Sequence, residues 1–437
     1  MEWQLTALIF LGGLIFIMLS GMPVAFCFLI ISLLGAAWLW GIQAGLSLFV
    51  LNIRSSVSHF YLLPVPMFVL LGEMMFQSGM GSRILDVLDQ WLGRLPGRLA
   101  LLSVGWSALF STMTGNMIAT AAMLGKMLIP EMERRGYKKP MSIGPIMGAG
   151  GLAMIIPPSG LAVLLGALGD ISIGKLLIAG IIPGLLIATF YVMYIIVRCR
   201  LQSSIAPPYE VITPTLAQKI VATMRYALPL GLIIFLVLGL MFLGIATPTE
   251  AAASGAIGSF ILTAFYRKLN WKVVTNSLIG TLEITVMVLM IIVGAMTFTQ
   301  VLAFSGATQG LTRFVVGLPL PPFAILICMQ IALLFLGAFM DIVALMMITV
   351  PIYIPIVQAL GFDTVWFGLI MLINIEMAMT TPPFGMLLFV TKGVAPPDTK
   401  MIDIYKAGFP FLLCDATAMG LVMAFPNLAL WLPNQMI

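Results

Sequence analysis

Four polar breaks interrupt apolar stretches of this sequence, and the residue types at each suit the capture of small ions. The first is Thr114-Gly115-Asn116, with Thr120 about a turn later; the second is Pro157-Pro158-Ser159, preceded by Gly148, Gly150 and Gly151. The third runs from Gly337 through Met340 to Asp341, and the fourth is Thr380-Thr381-Pro382-Pro383. A proline removes a backbone amide and disrupts the helix behind it, so paired prolines expose carbonyls and leave half-helix ends at membrane depth. Carbonyl and hydroxyl oxygens are hard ligands for a small alkali cation, whereas half-helix N-termini offer amides and positive dipole to an anion. The cation ligands expected on this basis are Thr114, Gly115, Asn116, Thr120, Gly148, Gly151, Gly337, Met340, Asp341, Glu376 and Thr380. The anion is expected against Asn116, Pro157, Pro158, Ser159, Thr380, Thr381, Pro382 and Pro383.

Single ionisable residues sharpen this picture. A carboxylate inside an apolar hairpin is costly unless it is paired, solvated or bound to a cation, which points to Asp341, with helix capping as its plain alternative. Glu376 lies about one turn before Thr380-Thr381 and could ligand an ion, carry a proton or meet a partner in a neighbouring helix. Glu73, Glu283 and Lys126 sit near helix ends where side chains reach water, and Asp170 and Asp415 are placed near outer or loop ends. The lone His59 has no Ser, Cys or acidic partner in sequence reach, and the 33 methionines scatter as packing residues. With no nucleophile–base pair and no metal-ligand spacing, the chain is not expected to be an enzyme.

The elements that must position these residues follow from composition. The chain has 437 residues, 61% hydrophobic and 8% charged, with mean hydropathy +1.13, so its solvent is lipid. Each crossing of a hydrocarbon core about 30 Å thick needs roughly 20 apolar residues, and alternating strands of the barrel type are absent, so the expected class is an all-α polytopic membrane protein. Cys27, Cys199, Cys328 and Cys414 are too dispersed for a disulfide framework or a metal cluster. The stretch from Leu5 to Leu19 lacks a basic flank and a small-residue cleavage site, and is expected to be a retained helix.

Twelve apolar segments are expected near 5–19, 22–40, 60–77, 99–128, 141–168, 176–197, 226–246, 250–266, 278–304, 320–356, 364–391 and 408–432. A polar linker at 201–225, containing Pro207, Pro208 and Pro214, separates 1–200 from 226–437. Pro23 and Pro248, Pro130 and Pro355, and Pro157-Pro158 and Pro382-Pro383 are each 225 positions apart, and the same offset sets Asn116 on Asp341. The halves therefore read as an internal repeat. In each, one segment (about 99–130 and 320–356) breaks midway into arms of about 15 residues, which reach only roughly 22 Å and suit a re-entrant hairpin. Another (about 141–168 and 364–391) is a broken helix. Five crossings per repeat are left, and an odd number inverts the second repeat. The inner loops of that arrangement hold most of the 21 Lys and Arg, which places both termini outside the cytoplasm and explains the basic excess without nucleic acid. Ser82 to Leu95 has one apolar face and reads as an interfacial helix, with a less clear counterpart around Leu311, Phe314 and Val315.

The runs Gly244-Ile245-Ala246-Thr247-Pro248-Thr249-Glu250-Ala251-Ala252, Ile155-Ile156-Pro157-Pro158-Ser159-Gly160 and Thr380-Thr381-Pro382-Pro383-Phe384-Gly385 resemble the large membrane subunit of tripartite ATP-independent periplasmic (TRAP) transporters. The likeness covers essentially the whole chain. It implies a sodium-driven elevator, with at least two sodium ions, that carries a small organic anion across the bacterial inner membrane. It also implies a periplasmic substrate-binding protein and a small membrane subunit as partners, besides membrane lipid. The small subunit is expected as a separate chain, because this one starts directly in the first repeat and ends after the second. The family's first hairpin tip is usually serine-rich, whereas this one reads Thr114-Gly115-Asn116-Met117. A stand-alone sodium-coupled dicarboxylate symporter or sodium/proton antiporter of related design is the alternative.

Overall fold

The computed structural model describes all residues except 1–2, 59–61, 93–94, 96, 115–116, 208–214 and 437, and the described residues contain helices but no strand. The first half comprises α1 (Trp3–Met18), α2 (Val24–Trp40), α3 (Ile42–Val57), α4 (Pro64–Gln77), α5 (Met80–Leu92), α6 (Arg98–Thr114), α7 (Met117–Arg134), α8 (Lys139–Gly150), α9 (Leu152–Ile155), α10 (Gly160–Gly169), α11 (Ile173–Ala179) and α12 (Ile181–Leu201). The second comprises α13 (Leu216–Ala222), α14 (Leu228–Phe242), α15 (Pro248–Phe265), α16 (Trp271–Phe304), α17 (Ala307–Val316), α18 (Pro322–Gly337), α19 (Ile342–Ala359), α20 (Thr364–Thr380), α21 (Met386–Val394), α22 (Met401–Ala424) and α23 (Asn427–Leu430).

Local chemistry sets many of these boundaries. Thr247-Pro248-Thr249-Glu250 is a capping box with proline in the first helical turn: the Thr247 hydroxyl accepts from the Glu250 amide at 3.3 Å, and the Glu250 carboxylate accepts from the Thr247 amide at 2.8 Å. Asp341 caps α19 and Asp363 caps α20, each accepting the amide two residues on. Ser159 caps α10 in the same manner, accepting from the Ala162 amide at 3.2 Å.

Helix starts recur along the chain, with α7 beginning at Met117 and α19 at Ile342, 225 positions later. One difference stands out. α16 is a single helix of 34 residues, whereas the stretch 225 positions earlier is divided into α3 and α4. Pro64 and Pro66 at the start of α4 account for this, since neither has a proline counterpart in α16. The reading of twelve apolar segments omitted α3, whose Gln43, Asn52 and Arg54 dilute its hydropathy.

Among the described residues, five stretches are long and apolar enough to cross a bilayer unaided, and a sixth is the pair Lys139–Ile155 and Gly160–Gly169, bent by 45°. That is fewer than the ten crossings expected: α1, α2 and α20 are apolar but only 16 or 17 residues long, and one of the five, Ile342–Ala359, was expected as an arm of the second hairpin. The innermost helices carry the breaks: every residue from Val365 to Thr380 in α20 and from Met141 to Gly150 in α8 is buried. The outer helices α1, α14, α15 and α16 expose Phe16, Phe235, Phe265 and Leu282, as lipid-facing surfaces do.

Candidate transport site

A cavity of about 180 Å3 lies where the starts of α7, α10 and α19 converge, lined there by Met117, Gly160 and Ile342. The first amides of a helix have no intrahelical acceptor; Asp341 and Ser159 take those of Val343 and Ala162, and the positive dipole ends of the helices border this volume. Asp341 lines the same cavity, half-buried; its carboxylate accepts from the Val343 amide at 3.0 Å, so the capping role weighed in the sequence is present. Ser159, at the base of α10, is buried and donates to the Met154 carbonyl at 2.8 Å, tying the break to the helix before it. Gly160 has open space where a Cβ would stand, so its small size leaves room in the cavity. α4 and α16 also line the cavity, through Val65, Val69, Ile284, Met287 and Val288.

The two proline breaks are alike in backbone and unlike in burial. Both Pro157-Pro158 and Pro382-Pro383 are cis. Pro157, Pro158 and Ser159 are buried, whereas Pro382, Pro383 and Phe384 are exposed. Thr380 and Thr381 both donate to the Met377 carbonyl, at 3.0 and 2.7 Å, and Tyr405 donates to the Pro383 carbonyl at 3.1 Å. The hairpin formed by α18 and α19 meets this break: a Cβ on Gly337 would lie 2.5 Å from the Ala378 Cβ, and the Phe339 and Phe384 rings are 5.2 Å apart. Met340 is half-buried between Gly337 and Asp341 in the same turn.

The expected site residues therefore divide. Asp341 and Gly160 line the cavity, and Ser159 stands just before Gly160 without lining it; Gly337, Thr380 and Thr381 gather at the second break and do not line it. Thr120 is buried in α7. Gly115 and Asn116 lie outside the described residues, as do His59 and the side chain of Thr114. Gly148 is small for packing, since a Cβ there would meet the Phe411 ring at 2.6 Å, and Gly151 makes room for the Glu376 carboxylate.

Glu376 has partners that the sequence reading missed. Tyr191 of α12 donates toward the Glu376 carboxylate at 3.4 Å and also bonds Asp415 of α22. Asp415 is thus not near a loop end, as expected; it is buried within a 24-residue helix, one side of which packs against α8, α12 and α20. A tyrosine inside an apolar run was the only signal available, and by itself it specifies no partner.

At the polar end of α8, Lys139 donates to Asp398 at 2.6 Å and stands 3.9 Å from Asp403. The hydrogen bond from Lys139 holds the Asp398 carboxyl below the usual carboxylate range. This link joins the α7–α8 corner to the loop before α22.

Apolar crossing helices, broken helices and a cavity at converging helix starts define a multi-pass helical membrane protein. The chain matches the family described as tripartite ATP-independent periplasmic transporter, DctM component, over residues 11–428, and it belongs to that family. The C4-dicarboxylate TRAP transporter large permease protein DctM of Pseudomonas aeruginosa is 34% identical over 377 residues, covering 86% of this chain and 87% of that protein. The sialic acid TRAP transporter large permease protein SiaM of Vibrio cholerae is 30% identical, covering 97% of this chain and 96% of that protein. The YdaH transporter of Alcanivorax borkumensis has a similar structure, with a TM-score of 0.60 and 88% of each chain covered; at 14% identity the likeness is one of fold alone. These relatives are transport permeases and not enzymes, in line with the expectation from the sequence.

Proposed function

We propose that this chain is the translocating subunit of a sodium-coupled carrier for a small organic anion in the bacterial inner membrane. A periplasmic binding protein would deliver the anion, and a small membrane subunit would stand beside the chain. The observation that carries this reading is the cavity at the starts of α7, α10 and α19, where an anion gains amides and dipoles while Asp341 stands ready for a cation. Sodium would be held by the tips and breaks: Thr114, Gly115, Asn116 and Thr120 in the first half, and Gly337, Met340, Asp341 and Thr380 in the second. Gly148, Gly151 and Glu376 complete the proposed set. The anion would lie in the cavity beside the Pro157-Pro158-Ser159 break, and the other proposed contacts, Asn116 and, at the second break outside the cavity, Thr380, Thr381, Pro382 and Pro383, would close on it during transport. Sodium binding orders the tips, and the ordered tips form the anion site, which couples the two solutes.

The recurring helix starts support two inverted repeats, divided by the linker at 201–225, with both termini periplasmic. Hairpins and broken helices would then move as one body against α4 and α16, in the manner of an elevator. The test is organic-acid uptake into proteoliposomes holding this chain and its small subunit, with and without an inward sodium gradient and binding protein. Uptake that requires both is expected. Sodium-driven uptake without the binding protein would replace this reading by a stand-alone symporter, and uptake indifferent to sodium would end it.

A further inference from the structure

The lining of the cavity is almost wholly apolar. Val65 and Val69 of α4, Ile284, Met287 and Val288 of α16 and Leu164 of α10 line it together with the helix starts. Asp341 is the one ionisable side chain among the described lining residues, and none of the others carries a hydroxyl, amide or basic group. A solute held here thus finds, among the described side chains, one cation-binding carboxylate and otherwise hydrocarbon.

This lining discriminates between classes of organic anion. A second carboxylate, at the far end of a dicarboxylate, would be desolvated against aliphatic side chains without a cation to pair it. The hydroxyls of a sugar acid would lose their water partners and gain none, which a site penalises more heavily than a change of one methylene. Size bears on sugar acids alone: a cavity of about 180 Å3 is small for a body as large as sialic acid.

We infer that the anion carried by this chain has one charged head, a carboxylate or sulfonate, and a short apolar body that packs on α4 and α16. Val69 and Met287 are then specificity-determining residues. The inference rests on the transport reading above and narrows it.

The test uses the purified full-length chain in lipid nanodiscs with sodium, reading the thermal stabilisation given by graded isovalerate, succinate, gluconate and sialic acid. Isovalerate is expected to act at a concentration at least about tenfold below the other three. Val69→Thr, nearly isosteric, and Met287→Gln each place a polar group in the wall and are expected to weaken isovalerate about tenfold. Succinate, gluconate or sialic acid acting as well as isovalerate would overturn the inference, as would isovalerate binding unmoved in both variants. Uptake of the same acids into proteoliposomes separates the two levels. If a dicarboxylate or sugar acid is carried with sodium in preference to isovalerate, the transport reading stands and the wall argument falls. If no acid is bound or carried, both fall.

Discussion

The Glu376 carboxylate occupies the place where a side chain on Gly151 would begin: a Cβ built on Gly151 would stand 1.9 Å from Glu376 Oε1. The glycine on α8's C-cap and the acid on α20 are thus a fitted pair in the protein's centre, with Tyr191 and Asp415 closing the other side. Of the glycines preceding the first break, Gly151 is the one whose smallness admits a carboxylate.

Gly151→Ala is therefore expected to destabilise the protein by roughly 1–3 kcal/mol or more, because the acid cannot move without leaving its tyrosine. Thermal unfolding of the purified chain measures this. A melting temperature equal to that of the wild type would show that the helices accommodate the methyl group.

Gly160→Ala should behave in the opposite way. Open space surrounds the position, so folding is expected to stay within about 0.5 kcal/mol of the wild type. The methyl group enters the cavity at the start of α10, and sodium-driven uptake is expected to fall by about tenfold or more. Undiminished uptake would remove this cavity as the place of the anion.

Asp341→Asn separates charge from capping, since asparagine caps a helix about as well as aspartate. Stability is expected to change little, while the sodium concentration for half-maximal uptake rises at least about tenfold. Asp341→Ala should add a cost of about 1 kcal/mol from the lost cap. An unchanged sodium midpoint in Asp341→Asn would leave this residue as a cap only.

The Lys139–Asp398 link predicts a pH dependence with a definite sign. A carboxyl held below its unfolded value contributes stability above that value, and loses it as pH falls through the depressed one. The wild type is thus expected to melt slightly above Asp398→Asn at neutral pH, with the difference vanishing in acid. A difference that persists or grows below the carboxylate range would show that the link is not ionic. Because Asp398 is exposed, the effect is small and salt-sensitive.

Much of the local structure around the candidate site was legible because its signals are local. A proline pair must break a helix wherever it falls, and Pro157-Pro158 and Pro382-Pro383 do so. Thr247-Pro248-Thr249-Glu250 carries its own capping box. Asp341 was singled out because a lone acid among apolar residues is expensive, and both its capping bond and its place on the cavity follow from sitting at the first residue before α19. Asp415 was misplaced because its value depends on a tyrosine 224 positions away.

The sequence by itself determined that this chain lives in lipid, where its helices break, and which family it resembles, since composition, proline chemistry and short motifs are properties of the covalent chain. Only the tertiary structure decided that Glu376 faces Gly151 and Tyr191, with Asp415 bonded to the same tyrosine, and that aliphatic side chains of α4 and α16 line the cavity. In a membrane protein, helix faces that meet lipid and faces that meet one another are equally apolar, so hydrophobicity does not rank them. Which valine lines a cavity and which faces the bilayer is settled by how the helices pack.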